Sequence, residues 1–402
     1  MRNTSRPALT SGVTSLLAAS LLLTACGSGS TGTVGSEKPE KKAGAPASVE
    51  DPVVVTYDGG LLMLDGQTLK AAEDIALDGY NRVNPAGDDR HVIVSTEKGF
   101  SVLDAVAAAM TDVTFPGEKP GHVVRHAGRT VLFTDGTGEV TAFDPGELAD
   151  GEPKADTFTS KAPHHGVAVE LENGALVSTV GTEEEGAVGI QVLDVDGKEI
   201  ARSEECPGAH GEATAKDEAV AVGCEDGVLL YADGKISKID SPSEYGAIGT
   251  QKGSDQSAII LGDYKKDADA ERERPEQVSL VDTETKKLDL LDLGTSYSFR
   301  SLARGPHGEG LVLGTDGKLH VLDMEKGEVT DSVPVVGAWK EPLDWQEARP
   351  ALFVRDHTAY VTDPATKKIH AVDFEAGEVT ESVTLPHAPD EISGVHTGHH
   401  EH

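Results

Sequence analysis

The chain has 402 residues, of which 69 are acidic and 35 are basic, and its formal net charge at pH 7 is −34. A chain this acidic does not attract nucleic acid or anionic lipid by charge, so both are excluded as electrostatic partners. Aromatic residues make up only 4% of the sequence, so aliphatic side chains must fill most of the core.

The first 25 residues have the layout of a bacterial signal peptide. Two arginines give a positive start, and residues 13–23 form an apolar run that is too short to span a bilayer. The following Leu23-Thr24-Ala25-Cys26 resembles the lipobox of bacterial lipoproteins, in which the cysteine is acylated. We therefore predict a signal peptide over 1–25 and an exported protein anchored to the cell membrane by a lipid on Cys26. The alternative is an ordinary secretory signal whose cysteine is incidental.

Residues 26–51 are predicted to form a flexible linker behind the lipidated cysteine. They are mostly Gly, Ser, Thr, Lys, Glu, Pro and Ala, and they have no periodic apolar face. No later stretch is apolar over about eighteen residues. The lipid is therefore the only membrane contact that the sequence predicts.

The rest of the chain is built from a repeat. Short apolar strands end in an aspartate at intervals of 39 to 50 residues, at Asp65, Asp104, Asp144, Asp194, Asp233, Asp282, Asp323 and Asp373. A unit of about 40–50 residues with several short strands is typical of a β-propeller blade. No segment has a convincing helical period. We predict an all-β fold, a β-propeller over residues 52–395.

Eight such units indicate eight blades. The first unit, which begins at Pro52, lacks an innermost strand, and residues 391–395 are in a position to supply it. One blade would then be closed by both chain ends, which leaves no free sheet edge there. Seven blades is the alternative if two units share strands.

Aligning the units places one residue of each at the start of an innermost strand, the strand that lines a propeller's central channel. These residues are Arg82, His122, His165, His210, Gly246, Arg300, Asp344 and, approximately, Ile392. Three consecutive units thus carry a histidine at matching positions.

This register predicts a zinc site in the channel. Neutral imidazole is a common zinc ligand, and three histidines with one further donor form a tetrahedral site. Asp344 is predicted either as the fourth ligand or as the acceptor of an imidazole N–H. His126 and His164 are neighbours that could substitute for a histidine of the set. The alternative is that the channel histidines only form hydrogen bonds.

Two cysteines, Cys206 and Cys224, remain after the lipidated one. In an exported protein they are most simply a disulfide, which would pin the loop that carries His210. A Cys/His zinc site is the alternative, but it would need reduced thiols.

The C-terminal tail, residues 396–402, is rich in histidine. Its four histidines are His396, His399, His400 and His402. Short tracts of this kind bind metals weakly, so the tail is predicted as a secondary metal site that captures zinc. The alternative is the remnant of a purification tag, although the interrupted pattern differs from a plain run.

The sequence contains no nucleophile elbow, phosphate-binding loop or dinucleotide fingerprint, so we predict that the protein is not an enzyme. A hydrolase or lyase with a channel metal would need a general base. Glu212 is the one candidate for that role.

Two segments carry a family resemblance. Residues 163–169, PHHGVAV, and residues 206–213, CPGAHGEA, with GCEDGV at 223–228, resemble segments of the AztD zinc metallochaperones. Those are exported propeller proteins that hand zinc to the substrate-binding protein of a zinc ABC importer. The resemblance implies zinc as the metal, His165 and His210 as ligands, and such a binding protein as the partner. We predict a monomer. The alternative function is a cell-surface propeller that only scaffolds protein contacts.

Overall fold

A computed structural model describes residues 48–182 and 184–395 of the chain. Several predicted features lie outside these residues: the signal peptide, the lipid site at Cys26, most of the linker and the histidine-rich tail. Within the described residues, no helix is long and apolar enough to cross a membrane. The helices found there are two short 3-10 segments, Pro145–Asp150 and Lys216–Glu218.

The described residues contain 32 strands. The first sixteen are β1 (Val53–Tyr57), β2 (Gly60–Leu64), β3 (Ala71–Ala76), β4 (Arg82–Pro85), β5 (His91–Thr96), β6 (Gly99–Asp104), β7 (Ala109–Pro116), β8 (Pro120–His126), β9 (Arg129–Thr134), β10 (Glu139–Phe143), β11 (Ala155–Thr159), β12 (Ala168–Glu170), β13 (Leu176–Thr182), β14 (Gly186–Leu193), β15 (Glu199–Ser203) and β16 (His210–Ala215). The others are β17 (Ala219–Cys224), β18 (Gly227–Ala232), β19 (Lys235–Asp240), β20 (Gln251–Ser254), β21 (Ser257–Asp263), β22 (Gln277–Asp282), β23 (Lys287–Asp292), β24 (Tyr297–Arg304), β25 (Gly310–Gly314), β26 (Lys318–Asp323), β27 (Glu328–Pro334), β28 (Leu352–Arg355), β29 (Thr358–Asp363), β30 (Lys368–Asp373), β31 (Glu378–Thr384) and β32 (Ile392–Gly394).

These strands form eight antiparallel four-stranded sheets, the blades of a propeller. Blade 1 has the order β3-β2-β1-β32, and blades 2 to 8 are the consecutive meanders from β4–β7 to β28–β31. The C-terminal strand β32 pairs with β1, with Val53 opposite Gly394. The predictions of eight blades and of closure by both chain ends are therefore confirmed.

A buried ion-pair network holds the closing segment in place. Glu391 Oε1 accepts hydrogen bonds from Arg82 Nε at 3.0 Å and from the Tyr80 hydroxyl at 2.9 Å, and it lies 3.1 Å from Arg300 Nη2. Burial raises the pKa of Glu391, but the two arginines outweigh this effect and the net shift is downward. The carboxylate thus stays charged and ties β32 to the inner strands of blades 2 and 7.

The core lies between neighbouring blades. The two middle strands of each blade are covered on both faces and are therefore continuously apolar, as in β2, whose five residues are all buried. The outermost strands face solvent along one edge, and β3 and β31 are almost wholly exposed. Val54 and Met63 of blade 1 pack in one cluster with Val92 and Val94 of blade 2.

The meander order defines two faces. In blades 2 to 8 the inner strand starts at the face that also carries the turn between the second and third strands, here called the upper face. The lower face carries the turns between the first and second strands and between the third and fourth strands. Inner strands of most neighbouring blades contact one another around the axis, as β8 and β12 do. Residues at the start of consecutive inner strands therefore come together on the upper face.

Candidate metal centre

Three histidines from consecutive blades meet on the upper face. His122 lies near the start of β8, His165 just before β12, and His210 is the first residue of β16. One ring nitrogen from each lies within 4.8 Å of the other two. The ring centroids are 4.9 to 5.4 Å apart. The structure thus brings together the three histidines that the repeat register singled out.

Local irregularities of the strands aim two of these side chains. The pairing of β8 with β9 shifts register between Pro120 and Val123, on either side of His122. The pairing of β16 with β17 shifts between His210 and Glu212. Gly211 has a φ of 69°, and a Cβ there would lie 2.4 Å from the carbonyl oxygen of Gly249. Such bulges redirect side chains at functional sites, and this one requires glycine.

Each imidazole presents its Nδ1 to an acceptor. His210 Nδ1 donates to the carbonyl oxygen of Gly249 at 2.7 Å, and His165 Nδ1 lies 2.5 Å from Asp135 Oδ2. His122 Nδ1 lies 3.1 Å from Glu212 Oε2, without a hydrogen bond between the two atoms. A carbonyl or carboxylate oxygen only accepts, so the partners of His210 and His165 favour the tautomer with its proton on Nδ1. In the neutral rings, Nε2 then carries a lone pair available to a metal.

Two of these lone pairs face each other. The Nε2 atoms of His165 and His210 are 3.0 Å apart, and in neutral rings with protonated Nδ1 atoms neither can donate to the other. A cation between them turns this repulsion into coordination. Tetrahedral zinc with bonds of about 2.0–2.1 Å separates its ligand atoms by roughly 3.3 Å. The rings therefore stand close to the spacing that zinc requires.

The surroundings keep His210 neutral. Nearby protein atoms partly desolvate the ring, although the residue keeps an exposed surface, and together with the positive potential of His122, His165 and Lys265 this lowers the pKa of His210 to about 4. The Gly249 carbonyl opposes this effect. Because only neutral imidazole binds metal, His210 is a ready ligand at neutral pH.

A carboxylate in turn fixes Gly249. Asp263 Oδ1 accepts hydrogen bonds from the backbone N–H groups of Gly249 and Thr250, at 2.7 and 2.9 Å, and its Oδ2 lies 3.2 Å from Lys265 Nζ. A Cβ on Gly249 would approach His210 Nδ1 to 3.3 Å. The absence of a side chain at Gly249 therefore lets the carbonyl reach the ring.

Cys206 and Cys224 form the predicted disulfide, with their Cα atoms 5.0 Å apart. Both cysteines are fully buried in the core cluster between blades 4 and 5. The bond therefore anchors residues 206–209, which lead directly into His210. Since both sulfurs are bonded to each other, the alternative of a Cys/His zinc site is not realised in this structure.

The structure does not bring Asp344 to the cluster, so the repeat register is wrong in that unit. Its carboxylate is exposed and accepts a hydrogen bond from the Gln346 N–H in the connection over residues 335–351. The inner strand of that blade, β28, begins only at Leu352. The register assumed a connection of ordinary length, and this one is longer.

The two neighbouring histidines have structural roles. His164 is buried, with Nδ1 3.0 Å from the Ala162 carbonyl oxygen and Nε2 3.0 Å from the Thr179 hydroxyl. His126 lies at the other end of β8 and pairs with Glu218 at 3.1 Å. Neither belongs to the histidine cluster.

Sequence reasoning missed Asp135 and Gly249. Asp135 lies in the turn between β9 and β10, and its only signal is an Asp-Gly pair like many others in this chain. Gly249 acts through its backbone, which leaves no mark in a search for side-chain ligands. Glu212 was considered only as a general base, whereas in the structure it faces the His122 ring.

No protein-family model matches the chain. The zinc chaperone AztD of Citrobacter koseri is 30% identical over 315 residues, which are 75% of this chain and 72% of the relative. This chain belongs to the AztD family. The architecture also agrees, since the structure of apo AztD from Citrobacter koseri matches with a TM-score of 0.74. That match has 24% identity and covers 85% of this chain and 97% of the other.

A more distant match shares the fold alone. The structure of the dihydro-heme d1 dehydrogenase NirN gives a TM-score of 0.58 at 12% identity, covering 89% of this chain and 77% of the other. AztD of Citrobacter koseri, by contrast, resembles this chain in both sequence and fold.

Proposed function

We propose that the protein is an extracytoplasmic zinc chaperone that holds one Zn²⁺ ion on the Nε2 atoms of His122, His165 and His210. The observation that carries the proposal is the pair of Nε2 atoms 3.0 Å apart in rings whose Nδ1 atoms already face acceptors. Membership of a family whose relative is named a zinc chaperone supports zinc as the cargo.

Three protein ligands leave one position of a tetrahedral zinc ion open, which suits transfer. The side chain of His165 is 50% exposed, against 20% for His122. An incoming ligand would enter at the open position, and His165 would then dissociate first. Transfer by such stepwise exchange needs a docked partner and no covalent chemistry, so the proposal includes no enzymatic activity.

The proposed recipient is the substrate-binding protein of a zinc ABC importer, the partner implied by the family resemblance. The Cys206–Cys224 disulfide supports a location outside the cytoplasm, where such bonds persist. A lipid on Cys26 and a linker over residues 26–51 would hold the chaperone beside the importer and raise its effective concentration there.

The zinc site is tested by competition with a chromophoric chelator at pH 7.5. The background is a tail-substituted protein, which is the full chain without the predicted tail site. It carries alanine at His396, His399, His400 and His402. In this background His165→Ala should weaken the binding of the tightest zinc equivalent by about 100-fold, and His126→Ala should leave it unchanged. Equal affinities in the two variants would refute the channel site and favour the scaffold function.

Delivery is tested separately. The zinc-loaded protein is mixed with the apo binding protein of the importer, and zinc on each is measured after separation. Chaperone-mediated transfer should proceed faster than the spontaneous release of zinc to a chelator. A transfer rate equal to that release rate would contradict direct handover while leaving the zinc site intact.

A further inference from the structure

A second group of metal-ligating side chains lies on the lower face, where blades 7 and 8 adjoin. His307 lies in the turn between β24 and β25, His357 in the turn between β28 and β29, and Glu375 in the turn between β30 and β31. All three turns belong to the lower face by the meander order. This group is therefore separate from the histidine cluster on the upper face.

The three side chains have the spacing of a metal site. One ligand atom from each lies within 4.8 Å of the others. Glu375 Oε1 is 3.0 Å from His357 Nδ1 and 4.0 Å from His307 Nε2, and the two rings are 5.3 Å apart. The ligand separation in tetrahedral zinc, roughly 3.3 Å, falls between the two atomic distances.

One atom of the group lacks a satisfactory partner. His357 Nδ1 is shielded from solvent and makes no hydrogen bond to any described residue, although the Glu375 carboxylate is within ion-pair distance. Shielded polar atoms in native proteins are normally bonded, so an exception calls for an explanation such as a bound ion. A cation held by both His357 and Glu375 would satisfy the ring nitrogen and neutralise the carboxylate.

Hydrogen bonds hold the two flanking turns in shape. Glu309 Oε2 accepts from the His307 backbone N–H at 3.0 Å. Asp373 Oδ1 accepts from the N–H groups of Glu375 and Ala376, at 3.1 and 2.8 Å. Such side-chain caps define turn conformation, so these two ligands project from fixed backbones.

We infer that His307, His357 and Glu375 form a second zinc site. This site exchanges its metal more readily than the upper site, which is the three-histidine cluster on the upper face. Two imidazoles and one carboxylate are a known donor set for zinc that leaves a coordination position open. The side chains are 44% to 67% exposed, so water competes for the ion. This inference is independent of the proposed function, because no residue of the upper cluster contributes to it.

The test uses the tail-substituted protein and zinc alone as the probe. Bound zinc is measured by mass spectrometry after equilibrium dialysis, and thermal melting shows that each variant is folded. The background protein should bind two equivalents of zinc, and His357→Ala should bind one. Glu375→Gln preserves shape but removes the ligand's charge, and it should weaken the second equivalent at least about ten-fold, since loss of a mere hydrogen-bond partner of a ligand typically costs 10- to 100-fold.

His387→Ala is the matched control, because His387 is similarly exposed and pairs with Asp74 at 3.2 Å but lies outside any three-ligand group of the described residues. This variant should retain both equivalents. Two outcomes would overturn the second site. Either His357→Ala still binds two equivalents of zinc, or the background protein binds only one equivalent and His357→Ala retains it. Failure of the three-histidine site would instead leave one equivalent in the background protein. His357→Ala would remove that equivalent, and His165→Ala would not.

Discussion

Asp135 offers the sharpest test of how the upper site is built. Its Oδ2 lies 2.5 Å from His165 Nδ1, and its side chain is only 15% exposed, although the His165 side chain is half exposed. Asp135→Asn keeps the size of the side chain but removes the charge that fixes the ring and raises its basicity. Loss of such a partner typically lowers metal affinity 10- to 100-fold, or about 1.4–2.7 kcal/mol. We expect about ten-fold for asparagine and the upper end of the range for alanine.

The assay is zinc competition with a chelator in the tail-substituted protein, and Asp344→Asn is the matched control. Asp344 is the carboxylate that the repeat register placed at the site, whereas the structure places it in an exposed connection. It should therefore have no effect on zinc affinity. An unchanged affinity in Asp135→Asn, or a weakened one in Asp344→Asn, would refute the account of the ring orientation.

Three further predictions concern the supports of the site and the fold. Gly249→Ala should weaken zinc binding several-fold in the chelator assay, because the added Cβ would lie 3.3 Å from His210 Nδ1. A Cβ at Gly337 meets no atom within 4 Å, so Gly337→Ala should leave the affinity unchanged. Replacing Cys206 and Cys224 by serine removes a cross-link between residues 18 apart in the sequence. It should lower the free energy of unfolding by about 3 kcal/mol. An unchanged midpoint and slope of the denaturant unfolding curve would contradict this. The pKa of Glu391 is lowered on folding from 4.5, so its contribution is present above that pH and lost as the pH falls below it. Glu391→Gln should therefore flatten the fall in stability below about pH 4.5, and an unaltered acid profile would refute the role of the network in ring closure.

Much of the fold was predictable because each blade repeats the same physical pattern. Middle strands are apolar on both faces, and a turn follows each strand-ending aspartate, so eight units were visible in the sequence. The missing inner strand of the first unit predicted closure by residues near Ile392, as β32 confirms. The lipid on Cys26 and the metal-binding tail lie outside the described residues and stay predictions.

The site was predictable only where it follows the repeat. His122, His165 and His210 occur at nearly equal intervals because they occupy equivalent places in consecutive blades. The prediction for Asp344 failed because the connection that carries it is longer than those in the other units. The inner strand β28 therefore begins further along the chain. The supporting groups come from other turns or from the backbone, and their roles depend on contacts across blades that sequence spacing does not encode.

Zinc K-edge X-ray absorption of the tail-substituted protein, loaded with one equivalent of zinc, tests the central claim most directly. Three imidazole nitrogens at about 2.0–2.1 Å are expected, with one oxygen ligand, such as water, completing the set. His165→Ala should reduce the imidazole count to two. A spectrum of the tail-substituted protein with two or fewer imidazoles that does not change in His165→Ala would contradict the proposal that these three histidines hold the cargo.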